Sequence, residues 1–181
     1  MKILSTAILL IITLLVVPIF SYFFGTSLGV LEREALHQVT LIMAIVAALC
    51  FVVGELTNNN SQVDKIWSIV PIIYVWVVAD YGDYAPRLVV MAVLATLWGI
   101  RLTANFAMKG AYKLKFWTGE EDYRWEVLRK MPMFKSRTAW FFFNLFFISL
   151  YQNGLILLFN LPILLSLEGA EKPLFWADYL L

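Results

Sequence analysis

The chain has 181 residues, 61% of them hydrophobic and only 15% charged, with a net charge of +1. A soluble domain of this length cannot hide so much apolar side chain, so lipid must be its main solvent, and the near-neutral charge gives no reason to expect a nucleic-acid partner. One cysteine, Cys50, and one histidine, His37, exclude a disulfide framework and a Cys/His metal site.

A helix crosses the hydrocarbon core with about 20 residues. The uncharged run from Ile3 to Leu31 gives a first span over Leu4–Phe24. A secretory signal would have an apolar core of about 7–15 residues before a small-residue cleavage site. This run is longer and ends in PIFSYFFG, so a retained helix is expected. The second span is Leu36–Gly54, and within it Cys50 reads as an inert buried thiol. Only 14 uncharged residues separate Lys65 from Asp80, and only 13 separate Arg87 from Arg101. At about 1.5 Å per residue neither run covers a core of about 30 Å. The third span is therefore expected to begin near Val63, taking in Asp64 and Lys65. The fourth runs from Pro86, suited to a first helical turn, to about Met108, with Arg101 inside it. The fifth is Thr138–Leu167, interrupted by Pro162.

Between the last two spans, GEEDYRWEVLRKMP opens with acids and closes with Arg129, Lys130 and Pro132, the pattern of a short helix. Tyr123, Trp125 and Leu128 suggest a face laid on the membrane surface. Basic residues beside Tyr and Trp, Tyr123 and Arg124 among them, also suit a nucleotide's phosphate and flat base. The fold class is thus all-α: a polytopic transmembrane bundle of about five spans with an interfacial helix between spans four and five. Residues 1–181 form one integral membrane domain, expected to be part of a larger bundle.

Lys/Arg placement sets the orientation. Of 14 basic residues, Arg101, Lys109, Lys113, Lys115, Arg124, Arg129, Lys130, Lys135 and Arg137 lie in or beside the loop between spans four and five. That loop is expected to be cytoplasmic, and so is the N-terminus. On span four, Trp98, Arg101, Asn105, Lys109 and Tyr112 fall at spacings of three or four; on span three, so do Asp64, Trp67, Pro71, Tyr74 and Val78. Two facing stripes would enclose a polar cavity open to the cytosol, with Asp64 and Arg101 approaching each other. Three readings of Arg101 stand: a side chain snorkelling to headgroups, a structural partner of Asp64, or a ligand-facing cation. Asn105 also suits an interhelical hydrogen bond, Glu55 and Lys65 suit the interface, and Asn144, Gln152, Asn153 and Asn160 suit packing polar groups.

Four stretches, SQVDKIWSIVPIIYVW, LWGIRLTANF, GEEDYRWEVLR and FFFNLFFISLYQ, together resemble the bacterial branch of the steroid 5-alpha-reductase family, over about Asp64 to Pro162. The resemblance implies a helical bundle that reduces a carbon–carbon double bond conjugated to a ketone, with NADPH taken from the cytoplasmic side. The substrate would be a steroid- or terpenoid-like lipid, with membrane lipids as surroundings and no metal. The family's Tyr and acidic partner would fall to Tyr74 and Glu55, and the cofactor to Arg101, Asn105, Tyr123 and Arg124. Asp64 and Trp67 would form a polar pair serving substrate or structure. Much of the family's cofactor half should follow Pro162, so the chain is expected to be incomplete and inactive by itself. The alternative is a non-catalytic lipid-binding or degenerate member.

Overall fold

A computed structural model describes residues 5, 8–9, 11–25, 27–115 and 117–175. Every regular element among them is helical. A π-helical turn, Ile12–Val16, leads into α1, Val17–Phe24. The long α2, Val30–Thr57, follows; α3 is Gln62–Ile66, α4 Val70–Tyr81, α5 Pro86–Met108 and α6 Tyr123–Arg129. The last rod, α7, spans Arg137–Ser166. It is π-helical over Asn144–Tyr151 and tightens to a 3-10 helix over Leu161–Ser166.

Among the described residues three helices are long and apolar enough to cross a membrane: α2, α5 and α7. The chain is an all-helical membrane bundle. The expected first span, Leu4–Phe24, lies partly outside the described residues; its described part is helical through Phe24. The expected third span is corrected. Its helix breaks at Trp67–Ile69, because Pro71 has no N–H to donate to the Trp67 carbonyl and its ring crowds that turn. Asp64 and Lys65 therefore sit on the separate α3, and α4, with 12 residues, is about 18 Å long.

Small residues set the packing, as lipid-embedded helices require when no aqueous hydrophobic effect drives them together. The inner seam of α2 is Ala35, Val39, Ala47, Cys50 and Gly54. The inner face of α5 is Leu88, Ala92 and Gly99. A Cβ on Gly99 would lie 2.5 Å from the Ser68 carbonyl oxygen, so the backbones all but touch there. Either side of that contact, Ser68 Oγ meets Thr103 Oγ1 at 2.9 Å and Trp76 Nε1 donates to Thr96 Oγ1 at 3.0 Å.

This packing rotates Arg101 outward. Two residues beyond Gly99, at about 100° per residue, it stands about 200° around the helix from the contact. Arg101 and Asn105 are both exposed, and among the described residues neither has a hydrogen bond or ion pair. The expected Asp64–Arg101 approach does not occur. From the stripe first assigned to α5, Trp98 does reach its partner, with its ring edge-on to Trp67 at 6.0 Å.

Candidate functional site

The polar residues converge at one end of the bundle, where α2 stops, α3 begins and the loop before α7 folds back. Asn58 stops α2 in the left-handed region (φ 51°, ψ 30°), a conformation asparagine adopts more readily than most residues. The turn presents Asn59, Asn60, Ser61 and Gln62 to the segment Trp117–Arg129. Asn59 Nδ2 donates to the Gly119 carbonyl at 3.2 Å, Gln62 Nε2 to that of Trp117 at 3.1 Å, and the Lys65 ammonium to that of Thr118 at 3.3 Å. Burial pushes the Lys65 ammonium below its ordinary pKa; the nearby Asp64 and Glu121 carboxylates oppose that shift. Ser61 Oγ accepts from the Asp122 N–H at 2.8 Å and from Trp125 Nε1 at 3.1 Å.

Asp122 caps α6 by accepting from the Arg124 N–H at 2.9 Å. The Arg124 guanidinium beside it holds its carboxyl below the usual range. Arg124 also reaches Asp64 at 3.5 Å, and Trp125 Nε1 is 3.3 Å from the other Asp64 oxygen. Trp125 is thus buried in the bundle end, which corrects the expectation that it lies on the membrane surface. Tyr123 points outward instead.

Arg129 is the hub. Its guanidinium holds both Glu121 oxygens, at 2.7 and 2.6 Å, and donates to Asn60 Oδ1. It also lies 4.8 Å from the Trp140 ring centroid, within cation–π range. Trp140 Nε1 donates to the same Asn60 oxygen at 3.3 Å. Behind them, Asn144 Nδ2 donates to Glu55 Oε1 at 2.7 Å.

Of these, Glu55, Asn60, Arg129 and Trp140 line a cleft of about 320 Å³. Glu55, Asn60 and Gly54 form its inner wall; Lys135, Arg137 and Trp140 stand opposite. Among the described residues neither Lys135 nor Arg137 has an ion pair, so the cleft carries uncompensated positive charge at its rim. No group of His, Cys, Asp and Glu among the described residues could hold a metal ion.

A family model described as "Protein of unknown function (DUF1295)" matches residues 50–180, from the last turns of α2 through the whole cleft. The chain belongs to the DUF1295 family. An uncharacterized protein of Schizosaccharomyces pombe is 34% identical to it over 140 residues, covering 73% of this chain and 38% of the relative. This DUF1295 chain thus spans well under half the length of that curated relative. No solved structure matches.

Of the residues singled out in the DUF1295 sequence, Glu55 lines the cleft, and Asp64 and Arg124 join the network beside it. Tyr74 is elsewhere. It is fully buried and lines a void of about 10 Å³ with Val39 and Asn160, room for one water at most. From Val39 to Glu55 along α2 is about 24 Å at about 1.5 Å per residue, so Tyr74 and Glu55 are not brought together. Arg101 and Asn105 are on the outer face of α5, and Trp67 is half-exposed at the break before α4. The sequence reading passed over Asn60, Ser61, Glu121, Arg129, Trp140 and Asn144 as site residues. The one available signal was the run TNNNSQ, six polar residues abutting an apolar helix.

Proposed function

We propose that the protein is a membrane-embedded reductase that uses NADPH to reduce a carbon–carbon double bond conjugated to a ketone in a steroid- or terpenoid-like lipid. The supporting observation is convergence: the end of α2 and the turn after it (Glu55, Asn60), Arg129 at the end of α6 and the start of α7 (Lys135, Arg137, Trp140) meet around one charged cleft. Asp64 and Asn144, from stretches that carry the family resemblance, join the hydrogen-bond network beside it. The cleft suits the phosphate-bearing part of the cofactor. Lys135 and Arg137 are free to take phosphate oxygens, and the Trp140 ring offers a flat wall. At about 320 Å³ it sits at the lower end of ligand pockets, about 300–1,000 Å³, too small for a whole dinucleotide.

Held there, NADPH would supply the hydride that the β-carbon of an enone accepts. The substrate's carbonyl oxygen then gathers negative charge that a preorganised donor must meet, and the α-carbon takes a proton from water to balance the reduction. Full-length protein in nanodiscs is expected to bind NADPH, and Lys135→Ala and Arg137→Ala should each weaken binding roughly tenfold or more, the scale of a charge-assisted hydrogen bond. Absence of NADPH binding would overturn the reading. A non-catalytic lipid-binding bundle is the second reading, favoured by the sealed position of Tyr74; it predicts lipid binding with no consumption of NADPH.

The same reading puts the cleft and the N-terminus on the cytoplasmic side of a bacterial inner membrane, in keeping with the nine basic residues in or beside the loop between the last two spans. A reporter fused at Lys113 should register as cytoplasmic and one fused at Tyr84 as external. The reverse pattern would place the cleft out of reach of cellular NADPH.

A further inference from the structure

Arg101 stands where a charge is costly. Its helix α5, with 23 residues, is about 35 Å long, little more than a hydrocarbon core of about 30 Å. Arg101 comes seven residues before Met108, about 10 Å short of the helix end, and it is turned away from α4. Charged side chains inside membrane spans are rare and almost always paired. Among the described residues Arg101 has no hydrogen bond or ion pair, and neither have Asn105 and Lys109, which are exposed one and two turns further on.

Residues four apart on a helix are neighbours, about 5–6 Å from one another at Cβ. Arg101, Asn105 and Lys109 therefore make one outward row of donors, and the exposed Ala104 beside Arg101 adds no bulk that would close it. Deeper along the same face stand Leu97 and Leu94, exposed and apolar. Since α5 packs mainly on α4, no described helix covers this face. We propose that it holds an anionic phospholipid, with the phosphodiester on Arg101, Asn105 and Lys109 and an acyl chain along Leu97 and Leu94.

Depth selects the kind of anion. The partner must reach about 10 Å below the helix end in lipid, which a headgroup carried on acyl chains can do and a free phosphate cannot. Side-chain direction argues against simple snorkelling. The Cα–Cβ bond of a helical residue tilts toward the helix N-terminus, here away from the nearer membrane surface, so the guanidinium draws a headgroup down rather than rising to it. Its parallel N–H groups match two phosphate oxygens, and Asn105 adds an amide N–H. Charge selects the headgroup. Lys109, with the exposed Lys113 and Lys115 beyond it, outweighs the Glu120 carboxylate, which lies near Gly110. That surplus favours an anionic over a zwitterionic lipid. Such a site is independent of the reductase reading and of the side of the membrane the cleft faces.

The test is thermal unfolding of the full chain in detergent with added dioleoylphosphatidylglycerol, dioleoylphosphatidylcholine or inorganic phosphate. Phosphatidylglycerol is expected to raise the melting temperature at concentrations where the other two do not. Arg101→Leu should weaken that binding about tenfold or more, and Asn105→Leu severalfold. Both variants set an apolar side chain against lipid, so melting without added lipid should not fall. Arg101→Lys should lose most of the binding too, because a fork and not a point charge holds the phosphate. Lys130→Ala removes a cation that is paired with Glu126 on α6; it controls for general charge and should bind as before. Equal stabilisation by phosphatidylcholine or by inorganic phosphate would overturn the site. So would unchanged binding in Arg101→Leu, full retention in Arg101→Lys, or a loss in Lys130→Ala as large as in Arg101→Leu.

Discussion

Arg129→Ala is expected to detach the segment Trp117–Arg129 from the bundle end. The guanidinium satisfies both Glu121 oxygens and the Asn60 oxygen and covers the Trp140 ring. Its removal leaves a carboxylate and an amide oxygen short of donors in a half-buried setting. Removing one partner of a buried pair costs about 3–5 kcal/mol. Here the side chains are 32% and 20% exposed, so solvent screening lowers the expectation to about 2–4 kcal/mol. Arg129→Lys should recover little of it, because a point-like ammonium cannot serve both Glu121 oxygens and Asn60 at once. Thermal unfolding in detergent together with tryptic cleavage at Lys109, Lys113 and Lys115 would show the effect. Unchanged melting with unchanged cleavage would mean that the contacts of Asn59, Ser61, Gln62, Asp64 and Lys65 hold the segment without Arg129.

Gly99→Val is expected to separate α4 from α5. The first added carbon would meet the Ser68 carbonyl oxygen at 2.5 Å and the Ile72 Cδ1 at 2.6 Å. Ile72 can rotate, but the carbonyl belongs to the backbone at the break before α4. Overpacking a close-packed interior costs about 1–3 kcal/mol, and a clash with backbone belongs at or above the top of that range. The Ser68–Thr103 hydrogen bond would be lost with it. Ile100→Val, one residue on and exposed to lipid, is the control and should leave stability unchanged. Differential scanning fluorimetry on the two purified variants separates the cases; equal melting points would mean that the helices yield freely at this crossing.

The long helices were legible because a membrane solvent demands uninterrupted apolar length, which α2, α5 and α7 have. The break at Trp67–Ile69 was not, since treating Val63–Asp80 as one span gave Pro71 no structural weight. The face of α5 was misjudged for a different reason. Aromatic and charged residues draw attention to Trp98, Arg101 and Asn105, while in lipid the contact is made by the least conspicuous side chains, Ala92 and Gly99. For the cleft, Lys135 and Arg137 stood out only as part of the basic loop, and the pairing of the cleft walls did not stand out. Asn60 and Glu121 are joined across 61 positions and Glu55 and Asn144 across 89, and no periodicity reports on contacts so distant. Glu55 entered only as the acidic partner that the family resemblance implies, and nothing in the local pattern marks Asn60 within the run TNNNSQ.

The π-helical stretch of α7 has a geometric consequence. Asn144 and Asn153 both face the bundle interior. Nine positions apart on an ordinary α-helix, at about 100° each, they would lie about half a turn out of phase. The wider winding over Asn144–Tyr151 absorbs that half-turn. The rod behaves like a screw cut with one coarse section: its two ends are timed separately, so the end that carries the cleft and the end that packs against α4 can each present their own side chains inward without either dictating the other.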